Sequence, residues 1–103
     1  MVKIAAAIIT LNEERNIERC LKSLSNCVDE IVVLDSYSKD KTAEICAFYN
    51  VNFIQKEWMG YAQSKNLLNN HVKADYIFSI DADEALDQTM INDLLRIKAE
   101  GID

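Results

Sequence analysis

Apolar residues along the chain come in two kinds of run, and the two kinds alternate. Residues 2–9 are continuously apolar apart from Lys3, the pattern of a strand covered on both faces. Residues 31–34 (Ile-Val-Val-Leu), inside the segment from Glu30 to Asp35, repeat that pattern. Residues 51–55 and 76–80 are shorter runs rich in β-branched and aromatic side chains, again of strand type. Between the strands the spacing turns helical. Ile17, Cys20, Leu21 and Leu24 fall at i, i+3, i+4 and i+7, one stripe of an amphipathic helix. A second helix is predicted from about Asp40 to Tyr49, with Ile45, Cys46 and Tyr49 inward. A third is predicted from Tyr61 to about Val72, with Tyr61, Ser64, Leu68 and Val72 on one side and Gln63, Lys65, Asn66 and Asn70 on the other. A fourth begins near Asp87, with Met90, Ile91, Leu94 and Leu95 as its core stripe. Thr10-x-x-Glu13 fits a capping box before the first helix, and Asn12 offers a second cap.

The order β-α-β-α-β-α-β-α implies an α/β fold, a Rossmann-like parallel sheet covered by helices and joined by right-handed crossovers. In open sheets of this kind ligands bind beyond the carboxyl ends of the strands. Three polar clusters sit at such ends: residues 10–13, 35–40 and 81–84.

With 103 residues, no proline and two glycines, the chain carries no linker signal, and residues 1–103 are expected to form one domain. A net charge of −6 excludes a general electrostatic footprint for nucleic acid or anionic membrane. A nucleotide would need a local site, built from backbone donors or a metal. The six-residue run 4–9 leads straight into charged residues without a cleavage site, so it is not a signal peptide. No apolar run approaches the ~18 residues of a membrane span. Cys20, Cys27 and Cys46 lack CxxC spacing and fit the reduced thiols of a cytosolic protein, used for packing.

The chemistry concentrates in Asp81, Asp83 and Glu84. If the chain is still extended there, Asp81 and Asp83 project to one side. Two carboxylates so placed suit a hard cation such as Mg²⁺ or Mn²⁺; the alternative is a solvated acidic turn ahead of the last helix. GxGxxG and P-loop signatures are absent. Phosphate would then rest on a metal at Asp81 and Asp83 and on one cation, for which Lys65 is the nearest candidate if it is not plain surface. Asp35 either accepts a hydrogen bond from a base or ribose, or caps its own loop. Residues 10–13 line the same pocket or merely cap a helix. Trp58, beside Gly60, covers a ligand or, as the more ordinary role, packs. His71 is the one histidine and falls at a helix end, where it complements the dipole. Nothing supports a Ser/His or Cys/His hydrolase.

Four segments occur in order: Ile9-Thr-Leu-Asn-Glu-Glu-Arg-Asn-Ile17, Ile31-Val-Val-Leu-Asp-Ser-x-Ser-x-Asp-x-Thr42, Gly60-Tyr-Ala-Gln-Ser-Lys-Asn66 and Ile80-Asp-Ala-Asp-Glu84. In content and spacing they resemble the donor half of family 2 glycosyltransferases, inverting enzymes of the A-type fold. The likeness is strongest to bacterial enzymes that add glucose-like sugars to lipopolysaccharide cores or related glycans. The resemblance implies that Thr10, Leu11, Asn12 and Glu13 line a nucleoside pocket, that Asp35 contacts the base, and that Lys65 approaches the diphosphate. Asp81 and Asp83 would correspond to the DxD pair that meets the ribose and the metal-bridged diphosphate. There Mg²⁺ or Mn²⁺ neutralises charge on the leaving group as a Lewis acid. Glu84 matches a frequent acidic extension of that pair.

It further implies a nucleotide-sugar donor, most simply a UDP-sugar, and a glycan or lipid-linked acceptor. The expected location is cytoplasmic, peripheral to the inner face of the membrane in longer relatives. Members of the family continue past DxD into an acceptor half that supplies the catalytic base. The base is therefore expected beyond Asp103, and this chain is expected to be a fragment that binds nucleotide without transferring sugar. Uncovered apolar surface near the sheet edge would favour self-association. Two alternatives stand beside this reading. One is a phosphatase of the haloacid dehalogenase type, which wants Thr or Val where this chain has Ala85. The other is a non-catalytic nucleotide-binding or assembly module.

Overall fold

β1 (Ile4–Thr10) is the strand on which the others assemble, and all but one of its residues are buried. The computed structural model describes residues 2–101. β2 (Glu30–Asp35) and β4 (Tyr76–Ser79) flank β1, and β3 (Asn52–Gln55) pairs with β2. The sheet order is β3-β2-β1-β4, and every pairing is parallel. The chain thus steps outward from β1 to β3 and then crosses the whole sheet to place β4 at the opposite edge. The expected α/β fold with a parallel sheet is the one observed.

Helices cover both faces. α1 (Ile17–Leu24), α2 (Thr42–Cys46) and α4 (Gln88–Glu100) lie on one side, α3 (Tyr61–Asn70) on the other. The larger core joins Ile4, Ala6 and Ile8 of β1 and Val33 of β2 to Ile17, Cys20, Leu21 and Leu24 of α1, Cys46 of α2 and Leu94 of α4. The alanines of β1 let the helices approach closely. Each fully buried Leu or Ile contributes about 1.5–3 kcal/mol relative to exposure, which is why α1 holds its place despite being eight residues long. The smaller core sets Leu68 of α3 against Ala7, Val32 and Leu34. Cys20, Cys27 and Cys46 are buried free thiols, as expected. Burial pushes the thiols of Cys20 and Cys46 up to about 11.

α4 starts with Asp87 as N-cap, its carboxylate accepting from the Met90 N–H at 2.9 Å. Near its other end Lys98 reaches Asp29 at 3.1 Å, and Asp29 also accepts from the Ile4 N–H at 2.8 Å. The Ile4 amide first, and Lys98 with it, holds the Asp29 carboxyl below the usual range.

Several local expectations change. The capping box does not form: Thr10 is still in β1, and α1 begins only at Ile17 with Asn16 as N-cap. α2 is shorter than predicted at both ends: Asp40 accepts from the Thr42 N–H and hydroxyl ahead of it, and after Cys46 the chain tightens into turns in which the Phe48 and Tyr49 N–H groups donate to the Ile45 and Cys46 carbonyls. Met90 and Leu95 are exposed, since α4 turns Ile91, Leu94 and Ile97 inward instead. Tyr61, the first residue of α3, is also exposed. β4 is an edge strand with Ile77 open to solvent. Among the described residues no helix is long and apolar enough to cross a membrane.

Candidate functional site

At the carboxyl ends of the strands lies a cavity of about 600 Å³, within the range of small-molecule sites. Its floor is Ala7, Ile9 and Leu68, and its walls come from three stretches. Thr10, Leu11 and Glu13 follow β1; Trp58, Tyr61 and Lys65 follow β3; Asp81, Ala82 and Asp83 follow β4. Ser36, at the end of β2, lies between them. Of the residues singled out in the sequence, Thr10, Leu11, Glu13, Lys65, Asp81 and Asp83 meet here. Asn12 and Asp35 are not part of the lining.

Those two residues instead hold the frame. Asp35 is fully buried. One of its oxygens accepts from the hydroxyls of Thr10 (2.7 Å) and Ser38 (2.5 Å), the other from the Ser38 N–H (2.8 Å) and the Gln55 side-chain amide (3.2 Å). Burial alone would raise its pKa, but the donors from Ser38, Thr10 and Gln55 outweigh it and hold the carboxyl below the usual range. Asn12 adopts φ 54°, a left-handed conformation that Asn tolerates. Its N–H donates to the Ser38 hydroxyl at 2.7 Å, and its side-chain oxygen accepts from the Lys39 N–H at 2.8 Å. The Glu13 N–H donates to the Thr42 hydroxyl at 2.8 Å. The Glu14 N–H donates to the Asp40 carboxylate at 3.0 Å, so residues 12–14 are tied to the segment after β2 by four hydrogen bonds.

The acidic stretch has its own support. Although β4 ends at Ser79, the alternation continues: Ile80 and Ala82 are buried, Asp81 and Asp83 exposed. The Glu84 N–H donates to the Asp81 carbonyl at 2.9 Å, and the Glu84 carboxylate accepts from the Asp81 N–H at 3.0 Å. That exchange closes a tight turn and occupies Glu84. α1 clamps the turn from the side. Arg19 donates to the Asp83 carbonyl at 2.8 Å, and Ser23 accepts from the Leu86 N–H at 3.0 Å. Neither Arg19 nor Ser23 stands out in the sequence, where both look like solvent-facing positions between the core residues of α1.

Among the described residues no cluster of three or more His, Cys, Asp or Glu side chains could enclose a metal. Two exposed carboxylates without a third protein ligand fit a hard cation that keeps waters and takes the rest of its oxygens from phosphates. Lys65 is exposed on α3, one turn after Tyr61, and is the cation in the pocket wall. His71 is the C-cap of α3, where its Nδ1 lies 2.9 Å from the Leu67 carbonyl, the helix-end role expected of it. Trp58 is half exposed and packs edge-to-face on Tyr61, so it is a pocket residue and not core.

The model of the family described as "Glycosyl transferase family 2" matches residues 6–101. The chain belongs to that family. An uncharacterized glycosyltransferase of Rickettsia bellii is 40% identical over 92 residues, covering 89% of this chain and 31% of the relative. The lipopolysaccharide core biosynthesis glycosyltransferase LpsC of Rhizobium meliloti is 38% identical over 92 residues, covering 84% of this chain and 34% of the relative. Among solved structures, glucosyl-3-phosphoglycerate synthase of Mycobacterium tuberculosis, in complex with Mn²⁺, UDP and glucosyl-3-phosphoglycerate, superposes with a TM-score of 0.71 at 23% identity. That match covers 82% of this chain and 36% of the synthase. The chain thus spans about a third of the length of these proteins. Family membership sets aside the phosphatase alternative, and the glycosyltransferase fold is the expected one.

Proposed function

We propose that this chain forms the donor-binding part of a glycosyltransferase that takes its sugar from a UDP-sugar and delivers it to a glycan or lipopolysaccharide-type acceptor. The observation that carries the reading is the single cavity in which Asp81 and Asp83 share a wall system with Thr10, Glu13 and Lys65. The mycobacterial synthase crystallised with UDP and Mn²⁺ supports the nucleotide and the metal; the rhizobial relative supports the acceptor class.

In this reading Asp81 accepts from the ribose hydroxyls and, with Asp83, holds Mg²⁺ or Mn²⁺. When bound, that cation neutralises charge on the departing diphosphate. Lys65 supplies a second positive charge from α3. Thr10, Leu11 and Glu13 border the nucleoside, and Asn12 and Asp35 act by fixing the loops that carry those residues. The turn around Glu84 and the clamp from Arg19 keep the two aspartates in place without needing the ligand, which lowers the ordering cost of binding.

Titration calorimetry with UDP tests this directly. UDP is expected to bind in the presence of Mn²⁺, and the Asp83→Ala variant to lose the metal-dependent part, a drop of tenfold or more. Repeating the titration with GDP and ADP reads the base preference. A protein that binds none of these nucleotides, with or without Mn²⁺, defeats the proposal.

A further inference from the structure

Trp58 and Tyr61 line the pocket as a pair. Their ring centroids are 5.1 Å apart with planes at 89°, yet Trp58 is 51% and Tyr61 70% exposed. An edge-to-face pair uses one face of one ring and one edge of the other, so broad ring faces stay free. Gly60, between them, sits at φ 88° and ψ 162°, a conformation open essentially to glycine alone. The backbone there turns abruptly into α3, and two rings three residues apart meet.

The pair follows β3 at one edge of the sheet, while Asp81 and Asp83 follow β4 at the other. The cavity wall thus carries aromatic rings in the stretch after β3 and carboxylates in the stretch after β4, with Thr10 and Ser36 from the two central strand ends. A nucleoside diphosphate calls for the same set of partners: a flat surface for its heterocycle, polar groups for its ribose, and a cation site for its diphosphate. We infer that Trp58 and Tyr61 form an aromatic wall on which the base of the bound nucleotide stacks, with the diphosphate toward Asp81 and Asp83. This assignment rests on the proposed nucleotide binding and adds residues to it. Stacking on a ring face tolerates any base, so the wall adds affinity while selectivity must come from polar neighbours.

Trp58 is the sole tryptophan, so the emission of the chain reports on this wall alone. The experiment follows that emission while UDP is added with Mn²⁺, alongside calorimetry on the same samples. Emission is expected to change with the calorimetric midpoint, equally for UDP and UDP-glucose, and not at all for pyrophosphate with Mn²⁺. Trp58→Ala is expected to weaken UDP binding about tenfold. Trp58→Phe, which keeps a ring face, should stay within about threefold of the wild type. Far-UV circular dichroism checks that both variants are folded, and Tyr61→Ala gives an independent second reading of affinity. Calorimetric binding with silent emission and an unchanged Trp58→Ala affinity overturns the inference and leaves the donor site standing. So does emission that responds to UDP-glucose alone, which would assign the rings to the hexose. If no nucleotide gives heat, the donor reading falls and the wall falls with it.

Discussion

Asp35 uses both carboxylate oxygens twice, with four donors from Thr10, Ser38 and Gln55 converging on them. A carboxylate has about four acceptor sites, so the group is saturated without a ligand. Its pKa in the fold lies below the ordinary Asp value, which is about 3.9 in an unfolded chain. A depressed folded pKa contributes stability above the unfolded value, and that stability is lost as pH falls through the folded one. Urea unfolding at successive pH values should therefore show stability falling below about pH 4. Asp35→Asn should be less stable at neutral pH by about 1–3 kcal/mol, because an amide presents donors to donors. Its acid decline should be shallower, though not absent, since Asp29 is also depressed. Equal slopes for the two proteins would show that Asp35 does not titrate as assigned. The sequence made Asp35 visible as the polar end of a buried strand. It could not show which groups fill it, because Thr10 and Gln55 lie 25 and 20 residues away. Thr10 misled for a related reason: its spacing to Glu13 suits a capping box, but pairing with Asp35 keeps it in the strand.

At the scale of elements, periodicity succeeds where one element lies flat on another. All four stripe residues of α1 are fully buried. The same rule misplaces Tyr61, since the first residue of α3 lines the pocket instead of joining either core. The turn into that helix is set by Gly60. A Cβ at this position would meet nothing within 4 Å, so any cost of Gly60→Ala comes from the backbone, about 1–3 kcal/mol at such a positive φ. Denaturant unfolding should detect that loss. UDP affinity, measured well below the unfolding range, should fall as well, because this turn aims both Tyr61 and Lys65. A variant as stable as the wild type would mean that the turn relaxes to another conformation. The clamp of Arg19 and Ser23 on the acidic turn is a second feature the sequence hid: it is made through backbone atoms of a segment more than 60 residues away.

For the molecule as a whole, alternating strands and helices announce a parallel sheet but not the order of its strands. Nothing in the alternation says that β4 returns to the far side of β1. That return has a kinetic consequence. β1 meets β2 across 25 residues (Ala5 with Glu30) and β4 across 72 (Ile4 with Tyr76). By chain-closure entropy the longer connection costs about 0.9 kcal/mol more, and β4, with no fully buried residue, recovers little when it docks. Pulse-labelled hydrogen exchange during refolding should therefore protect Val32 and Val33 before Tyr76 and Ile80, whose N–H groups bond to the Lys3 and Ala7 carbonyls; protection in one step would rule out staged assembly. During synthesis the same order is enforced by emergence. A nascent chain that has released its first 70 residues already holds β1, β2, β3 and the aromatic rings, while the carboxylates for a cation are still to come. The pocket wall is completed with the carboxylates last, and the metal-dependent UDP binding proposed above would signal that the last strand has docked.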